Sequence, residues 1–417
     1  MNLLIKNVLL HDSIQDIFIQ KGLIDSIGQN LNCEAENVLD GTDKVAIPSF
    51  VNAHTHSAMT LMRSYADDME LHDWLENKIW PFEKNISEQD VYWATRLAII
   101  EMIKSGTTYF NDMYWHYPGT AQAVIDSGIH AHLSSAFIDL GDEETSKKQI
   151  EEQVKLFENR DQFSPNVTFS LGAHSLYTVL ESGLFWLRDF ANEHTLNIHM
   201  HLSETKKEVD EWVQQTGKRP VEYLESIGFL GSHIIAAHVN WVTDDEIKLL
   251  ADYNVGIAHC PTSNMKLASG VFPYQRIRDA GIRIGLATDG VASNNNVDML
   301  DEVKVAALLQ KSFNQDPTVM PADEAFYLAT EGSASLFGLN MGKIEVGKSA
   351  DLLLIDLNNI QLIPNHHLIS NLVYSAHSGC INTTIAKGEI LMENGCVKDE
   401  KNVIDHFQKV IRKRVKE

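Results

Sequence analysis

Short apolar runs alternate with helical segments through the middle of the chain, and this alternation limits the fold more than any other feature. Eight β-branched or apolar stretches recur: AIPSFVNAHTH, TTYFND, HAHLSSAF, VTFSLGAHS, NIHMHLSE, HIIAAHVN, VGIAHCP and IRIGLATDG. Segments of helical periodicity, such as ISEQDVYWATRLAIIEMIKSG and TDDEIKLLADYN, lie between them. Eight strands alternating with helices predict a (β/α)8 TIM barrel of the α/β class. The two ends read differently. LLIKNVLL, QDIFIQKGLIDSIG and NVLDGTDKVAIP near the start, and SADLLLIDL and TIAKGEILMENGCV near the end, are short strands punctuated by Asp, Gly and Asn turns. The expected organisation is a barrel over residues 49–346 and a small β-sandwich domain formed by residues 1–48 and 347–417. A chain of 417 residues is long enough for both.

Six of the eight strand candidates end in a polar group able to serve a reaction. His54 and His56 end the first, His174 the fourth, His201 the fifth, His238 the sixth, His259 the seventh and Asp289 the eighth. In a barrel the C-terminal strand ends converge on one mouth, where active sites form. Histidines scattered in sequence therefore become neighbours in space.

His54 and His56 are two residues apart, so on a strand both imidazoles project from one face toward one ion. His201 adds a third nitrogen and Asp289 a carboxylate, a donor set suited to Zn2+ and tolerable for Fe2+. Glu204 follows His201 by three residues, placed to overhang such an ion and exchange protons with a water; alone it would read as a helix-start carboxylate. His238 stands apart from the four ligands and suits a preorganised hydrogen bond to a developing tetrahedral oxygen. His259, within HCPTSN, is open between a structural role and substrate contact. His199 shares the parity of His201 but lies one layer deeper, and reads as packing. His130 and His132 begin the third strand, at the closed bottom of a barrel, and read as structural.

No lysine ends the fourth strand candidate, where Ala173-His174-Ser175 stands, so the bridging carboxylated lysine of a two-metal site is missing and one divalent ion per chain is expected. The HxE…PCxxC signature of cysteine-zinc deaminases is absent, as are GxSxG and GxGxxG.

A formal charge of −23 repels phosphate backbones and anionic membrane surfaces, which argues against nucleic-acid polymers and membranes as partners. The four cysteines are scattered without a CxxC pair, as in a reducing cytosol. The N-terminus lacks a signal-peptide pattern and no apolar run approaches the roughly 18 residues of a span, so the chain reads as cytoplasmic. Lys409, Arg412, Lys413, Arg414 and Lys416 read as a solvated basic helix end.

With these residues in hand, the chain resembles the amidohydrolase superfamily over nearly its whole length. It is most similar to the branch of 5′-methylthioadenosine/S-adenosylhomocysteine deaminases, guanine deaminases and triazine chlorohydrolases. PSFVNAHTH, HLSE, AHVN, HCPTSNMKLASG and TDGVASNNNVDML carry the likeness, and LENKIWPFE and HSLYT point to the methylthioadenosine/adenosylhomocysteine group. The resemblance implies His54, His56, His201 and Asp289 as metal ligands. It implies Glu83, His174, Glu204 and Asp289 as substrate contacts, with Glu204 and Asp289 also moving protons. The implied reaction is hydrolytic deamination of the 6-amino group of a 5′-modified adenosine, releasing ammonia. Trp80, Phe82 and Trp115 are candidates to pack on the nucleoside, the alternative being core.

The family also has arginines between the third and fourth strands that hold an amino-acid carboxylate. Residues 131–159 contain none, and Lys147, Lys148 and Arg160 offer positive charge nearby. That departure favours an uncharged 5′-modified adenosine over adenosylhomocysteine. Guanine, an oxidised purine, a pterin or a triazine would use the same ligands and differ only in pocket contacts. A non-catalytic scaffold of this fold would show broken ligands, and a homo-oligomer is left open.

Overall fold

Each of the eight apolar stretches contains one strand of a parallel barrel in the computed structural model, which describes residues 2–414. The N-terminal segment supplies β1 (Asn2–Leu10), β2 (Ser13–Gln20), β3 (Leu23–Gly28), β4 (Asn37–Asp40) and β5 (Lys44–Pro48). The barrel follows as β6 (Phe50–Thr55), β7 (Thr107–Tyr114), β8 (His130–Phe137), β9 (Val167–Ala173), β10 (Ile198–Leu202), β11 (Ile234–His238), β12 (Gly256–His259) and β13 (Arg283–Leu286). The chain then returns with β14 (Leu352–Asp356), β15 (Ile381–Ala386), β16 (Glu389–Glu393) and β17 (Cys396–Val397).

Barrel strands pair in sequence order, all parallel, and most are buried along their whole length. Burial on both faces explains why they read as continuous apolar runs. Between β13 and β6 the ring is drawn together beyond the strand end. The Asp289 amide donates to the His54 carbonyl at 3.0 Å, and the Asn52 amide group donates to Thr288 Oγ1 at 2.7 Å. The closure therefore sets two of the predicted site residues side by side.

The remaining strands form one nine-stranded mixed sheet, in the order β17-β16-β15-β14-β5-β1-β2-β3 with β4 beside β1. β5 and β14 pair antiparallel from Pro48↔Leu352 to Asp356↔Lys44, which stitches the two ends of the chain together. Leu3, Ile5, Ile17, Ile19, Leu352 and Leu354 belong to a core of its own, separate from the barrel's.

A helical segment after β6 carries the mouth-facing residues of the first loop. It runs through Leu71–Trp74, a π-helical turn at Leu75–Ile79 and Trp80–Glu83. Such single π turns recur at functional sites, because they re-aim side chains within a helix. The helix Glu88–Lys104 follows, begun by a capping box between Ser87 and Asp90. The C-terminal helix Glu400–Arg414 lies along it, with Lys104 Nζ 2.7 Å from Glu400 Oε1 at one end. At the other end Arg414 donates to the Asn85 carbonyl at 2.8 Å and pairs with Asp90. Lys409, Arg412 and Lys413 are exposed, as a solvated helix end requires, whereas Arg414 is held in these contacts; Lys416 lies outside the described residues. Among the described residues no helix is long and apolar enough to cross a membrane.

Candidate active site

The mouth of the barrel gathers His54, His56, His201 and Asp289. His54 Nε2 and His56 Nε2 lie 3.3 and 3.4 Å from Asp289 Oδ1, and His56 Nε2 lies 3.2 Å from His201 Nε2. His56 is bonded through Nδ1 to the Met113 carbonyl at 2.6 Å, and His201 through Nδ1 to the His174 carbonyl at 2.7 Å. A carbonyl can only accept, so both Nδ1 atoms carry the proton and both Nε2 lone pairs face the centre. His54 Nε2 is fully buried and makes no hydrogen bond. Three imidazole Nε2 atoms and a carboxylate gathered at one point are a donor set that fits a divalent cation.

The electrostatics agree. Burial pushes His54 down to about 4 and His201 well below its ordinary value, so both rings stay neutral, as ligands must. Burial works to raise Asp289, but the closeness of His54, then of His56 and His238, outweighs this and holds it well below the usual carboxylate range. Asp289 also accepts from Ser263 Oγ at 2.6 Å through its other oxygen.

The backbone is bent to make this convergence. Asp289, His238 and Ser203 have φ of 62°, 72° and 49°, in the left-handed region that non-glycine residues rarely occupy. Strain of this kind persists where surrounding structure enforces it, and here it turns strand-end side chains into the mouth. At Gly290 a Cβ would lie 2.7 Å from Met59 Sδ and 3.2 Å from His56 Cβ, so the loop after β13 passes this close to His56 only without a side chain.

Glu204 and His238 sit beside the four donors, Oε2 to Nε2 at 3.6 Å. Ser269 Oγ donates to Glu204 Oε1 at 2.9 Å. The Asn264 amide group donates to Asn240 Oδ1 at 3.0 Å, which turns Asn264 Oδ1 toward His238 Nδ1, 2.9 Å away. His238 Nδ1 is therefore the donor of that bond and Nε2 faces Glu204. Burial raises Glu204 above its ordinary value. Burial alone would lower His238, but Glu204, Asp289 and the Asn264 bond overcome it and raise the ring.

These groups open onto one cavity, also lined by Glu83, His174, Trp80, Trp115, Leu71, Met113, Ala136 and Ile138. Among the described residues no lysine or arginine lines it. Trp115 Nε1 donates to Glu83 Oε2 at 3.1 Å, so this ring orients a carboxylate as well as forming a wall. Phe82 does not line the cavity; it packs against Tyr65 and lies under the Arg414 guanidinium. His174 Nδ1 bonds Thr178 Oγ1 at 3.0 Å, which leaves Nε2 for the cavity.

His259 is fully buried, stacked on Phe272 at 4.3 Å, and does not reach the cavity, which decides for the structural role. His130 and His132 begin β8 far from the mouth, His132 bonded to the Tyr109 hydroxyl at 3.2 Å. His199, read as packing, is bonded to His54: its Nε2 lies 2.6 Å from His54 Nδ1. Its parity with His201 was the available signal, since that face points at the barrel axis and so at β6 across it.

The fold and the converging donors define a (β/α)8 barrel with a candidate metal centre at its C-terminal mouth. The chain belongs to the amidohydrolase family, whose sequence model matches residues 45–391. It is 45% identical over 377 residues to 5-methylthioadenosine/S-adenosylhomocysteine deaminase 1 of Archaeoglobus fulgidus, covering 90% of this chain and 89% of that one. It is 42% identical over 409 residues to 5′-deoxyadenosine deaminase of Methanospirillum hungatei, covering 96% and 91%. Among solved structures, an adenosine deaminase from Xanthomonas campestris with bound zinc superposes with a TM-score of 0.92 at 31% identity, covering 99% of this chain and 98% of that one.

Proposed function

We propose that this protein is a metal-dependent hydrolytic deaminase of a 5′-modified adenosine carrying an uncharged 5′ substituent. The observation that carries the reading is the placement of the four-donor centre beside Glu204 and His238, in a cavity that holds carboxylates and apolar walls but, among the described residues, no lysine or arginine. The relatives named for 5-methylthioadenosine, S-adenosylhomocysteine and 5′-deoxyadenosine share the 5′-modified adenosine class. Within that class the absence of a lysine or arginine in the cavity favours 5′-deoxy and 5′-methylthio groups over a charged amino-acid tail.

His54, His56, His201 and Asp289 would hold one divalent ion, of which zinc suits the nitrogen and oxygen donors best. When bound, the ion lowers the pKa of water toward about 7 and so supplies a nucleophile at neutral pH. Glu204 takes the proton that the attacking water gives up and delivers it to the ring nitrogen beside C6. Its raised pKa brings it nearer the operating pH, where such transfers are most efficient. His238, anchored through Nδ1 by Asn264, steadies the oxygen that adds at C6 from its Nε2 side. Asp289, ionised at the start, takes the proton of the hydroxyl added at C6 and passes it to the departing amine. Water and a 6-aminopurine nucleoside become ammonia and the 6-oxo product.

Glu83 and His174 border the same cavity and would bind the nucleoside, Glu83 held in place by Trp115. Ammonia release from 5′-methylthioadenosine, 5′-deoxyadenosine, adenosine, guanine and a chlorotriazine tests the reading, with elemental analysis of the same protein. Turnover of the first two with about one zinc-class ion per chain is expected. Turnover confined to guanine or the triazine would overturn it.

A further inference from the structure

Three imidazoles must each present a bare Nε2 to the proposed metal centre. For His56 and His201 the main chain settles this, since carbonyls accept the Nδ1 protons. His54 is held by another histidine. Its Nδ1 lies 2.6 Å from Nε2 of His199, and the two rings meet edge to face at 86° with centroids 4.7 Å apart.

An imidazole nitrogen can give or take the proton, so this bond has two directions. If His199 donates, the proton of neutral His54 sits on Nε2, aimed at Asp289 Oδ1 3.3 Å away, and blocks the ligand position. If His54 donates, Nε2 is bare and His199 carries its own proton on Nδ1. His199 Nδ1 has no protein partner among the described residues, so the protein supplies no second bond to fix the direction. Both rings are almost wholly buried, with exposures of 0% for His54 and 1% for His199.

We infer that His199 is a positioning residue for the metal centre: as the acceptor for His54 Nδ1–H, it holds His54 in the tautomer and ring orientation that present Nε2 to the ion. The inference rests on the metal-centre reading above. Partners of this kind typically govern metal affinity by roughly 10–100-fold, because they fix ring orientation and raise the basicity of the ligand nitrogen.

The test is Zn2+ affinity measured by competition with a chromophoric chelator. His199→Phe keeps a ring of similar size and removes the acceptor, whereas the side-chain carbonyl of His199→Gln can still accept from His54. His199→Phe is expected to bind Zn2+ roughly 10–100-fold more weakly. His199→Gln is expected to recover most of the affinity. Circular dichroism of the metal-free proteins checks that each variant folds, and His199→Leu replaces the Phe variant if that one does not. Wild-type affinity in folded His199→Phe or His199→Leu overturns the inference. So does a loss in His199→Gln as large as in the apolar variant, which marks a packing role. Wild-type protein that takes no ion from the chelator overturns the metal-centre reading itself and this inference with it.

Discussion

Glu204→Gln isolates the proton-transfer step, because the contacts that place the side chain do not depend on its charge. Ser269 Oγ donates to Oε1 at 2.9 Å, the Asn240 amide donates to the Glu204 carbonyl at 3.1 Å, and the Glu204 N–H donates to Glu208 at 2.8 Å. A glutamine side-chain oxygen can keep the first bond, and the two main-chain bonds are untouched. The substitution removes a proton acceptor and a negative charge 3.6 Å from His238. Loss of a positioned general acid–base residue costs about 10²–10⁴ in kcat. That corresponds to about 3–5 kcal/mol in the barrier.

The second effect acts in the same direction. Two unit charges 3.6 Å apart attract by about 4–5 kcal/mol at an effective dielectric of 20, a ceiling for what Glu204 contributes to keeping His238 protonated. Without Glu204, burial has less opposing it, and the ring tends to the neutral form with its donor at Nε2 lost. The assay is ammonia release at saturating 5′-methylthioadenosine, with metal content measured on the same preparation. A fall of at least about 100-fold with unchanged metal is expected. His238→Asn and the double variant complete the set, the double losing about as much as the worse single variant because the pair acts as a unit. A fall below about tenfold at full metal content refutes the proton-transfer role.

The cavity should favour 5′-methylthioadenosine over S-adenosylhomocysteine by at least about tenfold in kcat/KM, since among the described residues no lysine or arginine lines it to pair with a buried amino-acid carboxylate; equal or reversed preference in a side-by-side assay refutes this. Arg414→Ala should raise KM for the nucleoside about fivefold, for a loss of about 1 kcal/mol, by releasing the chain around Asn85 and Phe82 that leads from Glu83. Lys104→Ala, which loosens the opposite end of the same helix pair, serves as the control and should leave KM unchanged; equal effects from both would reduce Arg414 to general helix docking. Burial pushes the Glu302 carboxyl up to about 8 from an ordinary value of 4.5, so the folded protein keeps this proton to higher pH than the unfolded chain does. That contribution to stability is complete below about pH 4.5 and is lost as pH rises to about 8, in total on the order of 5 kcal/mol. Denaturant unfolding at pH 5 and pH 8.5 should show wild type losing more stability than Glu302→Gln, and parallel losses would refute it.

What could be read from the sequence follows from which information a strand or helix carries along itself. A barrel strand is buried on both faces, so β11 appears as an apolar run, and the first polar residue at its end marks the mouth. That alone suffices to bring His54, His56, His201, His238 and Asp289 within reach of one another, although 235 residues separate the first from the last. Glu83 carried no such mark. It sits on a helical segment whose π turn has no period to recognise, and its burial depends on Trp115 from the far end of β7. Arg414 looked like one more charge on a basic helix end, and its partner Asp90 is 324 positions away.

His199 is the most instructive, because the pattern placed it correctly and the chemistry was still missed. Its parity put it on the axis-facing side of β10, but apolar residues also fill barrel interiors, and a single buried histidine has no sequence feature that distinguishes packing from hydrogen bonding. The distinguishing fact is the 2.6 Å approach to His54, a property of two strands on opposite sides of the ring. Ser269, Asn264 and Trp115 share that character: each acts on a side chain supplied by another element. Periodicity reports where a side chain points relative to its own element. The residues proposed to bear on the reaction directly are legible where strands end, and those that hold them in place become visible only when the elements are assembled.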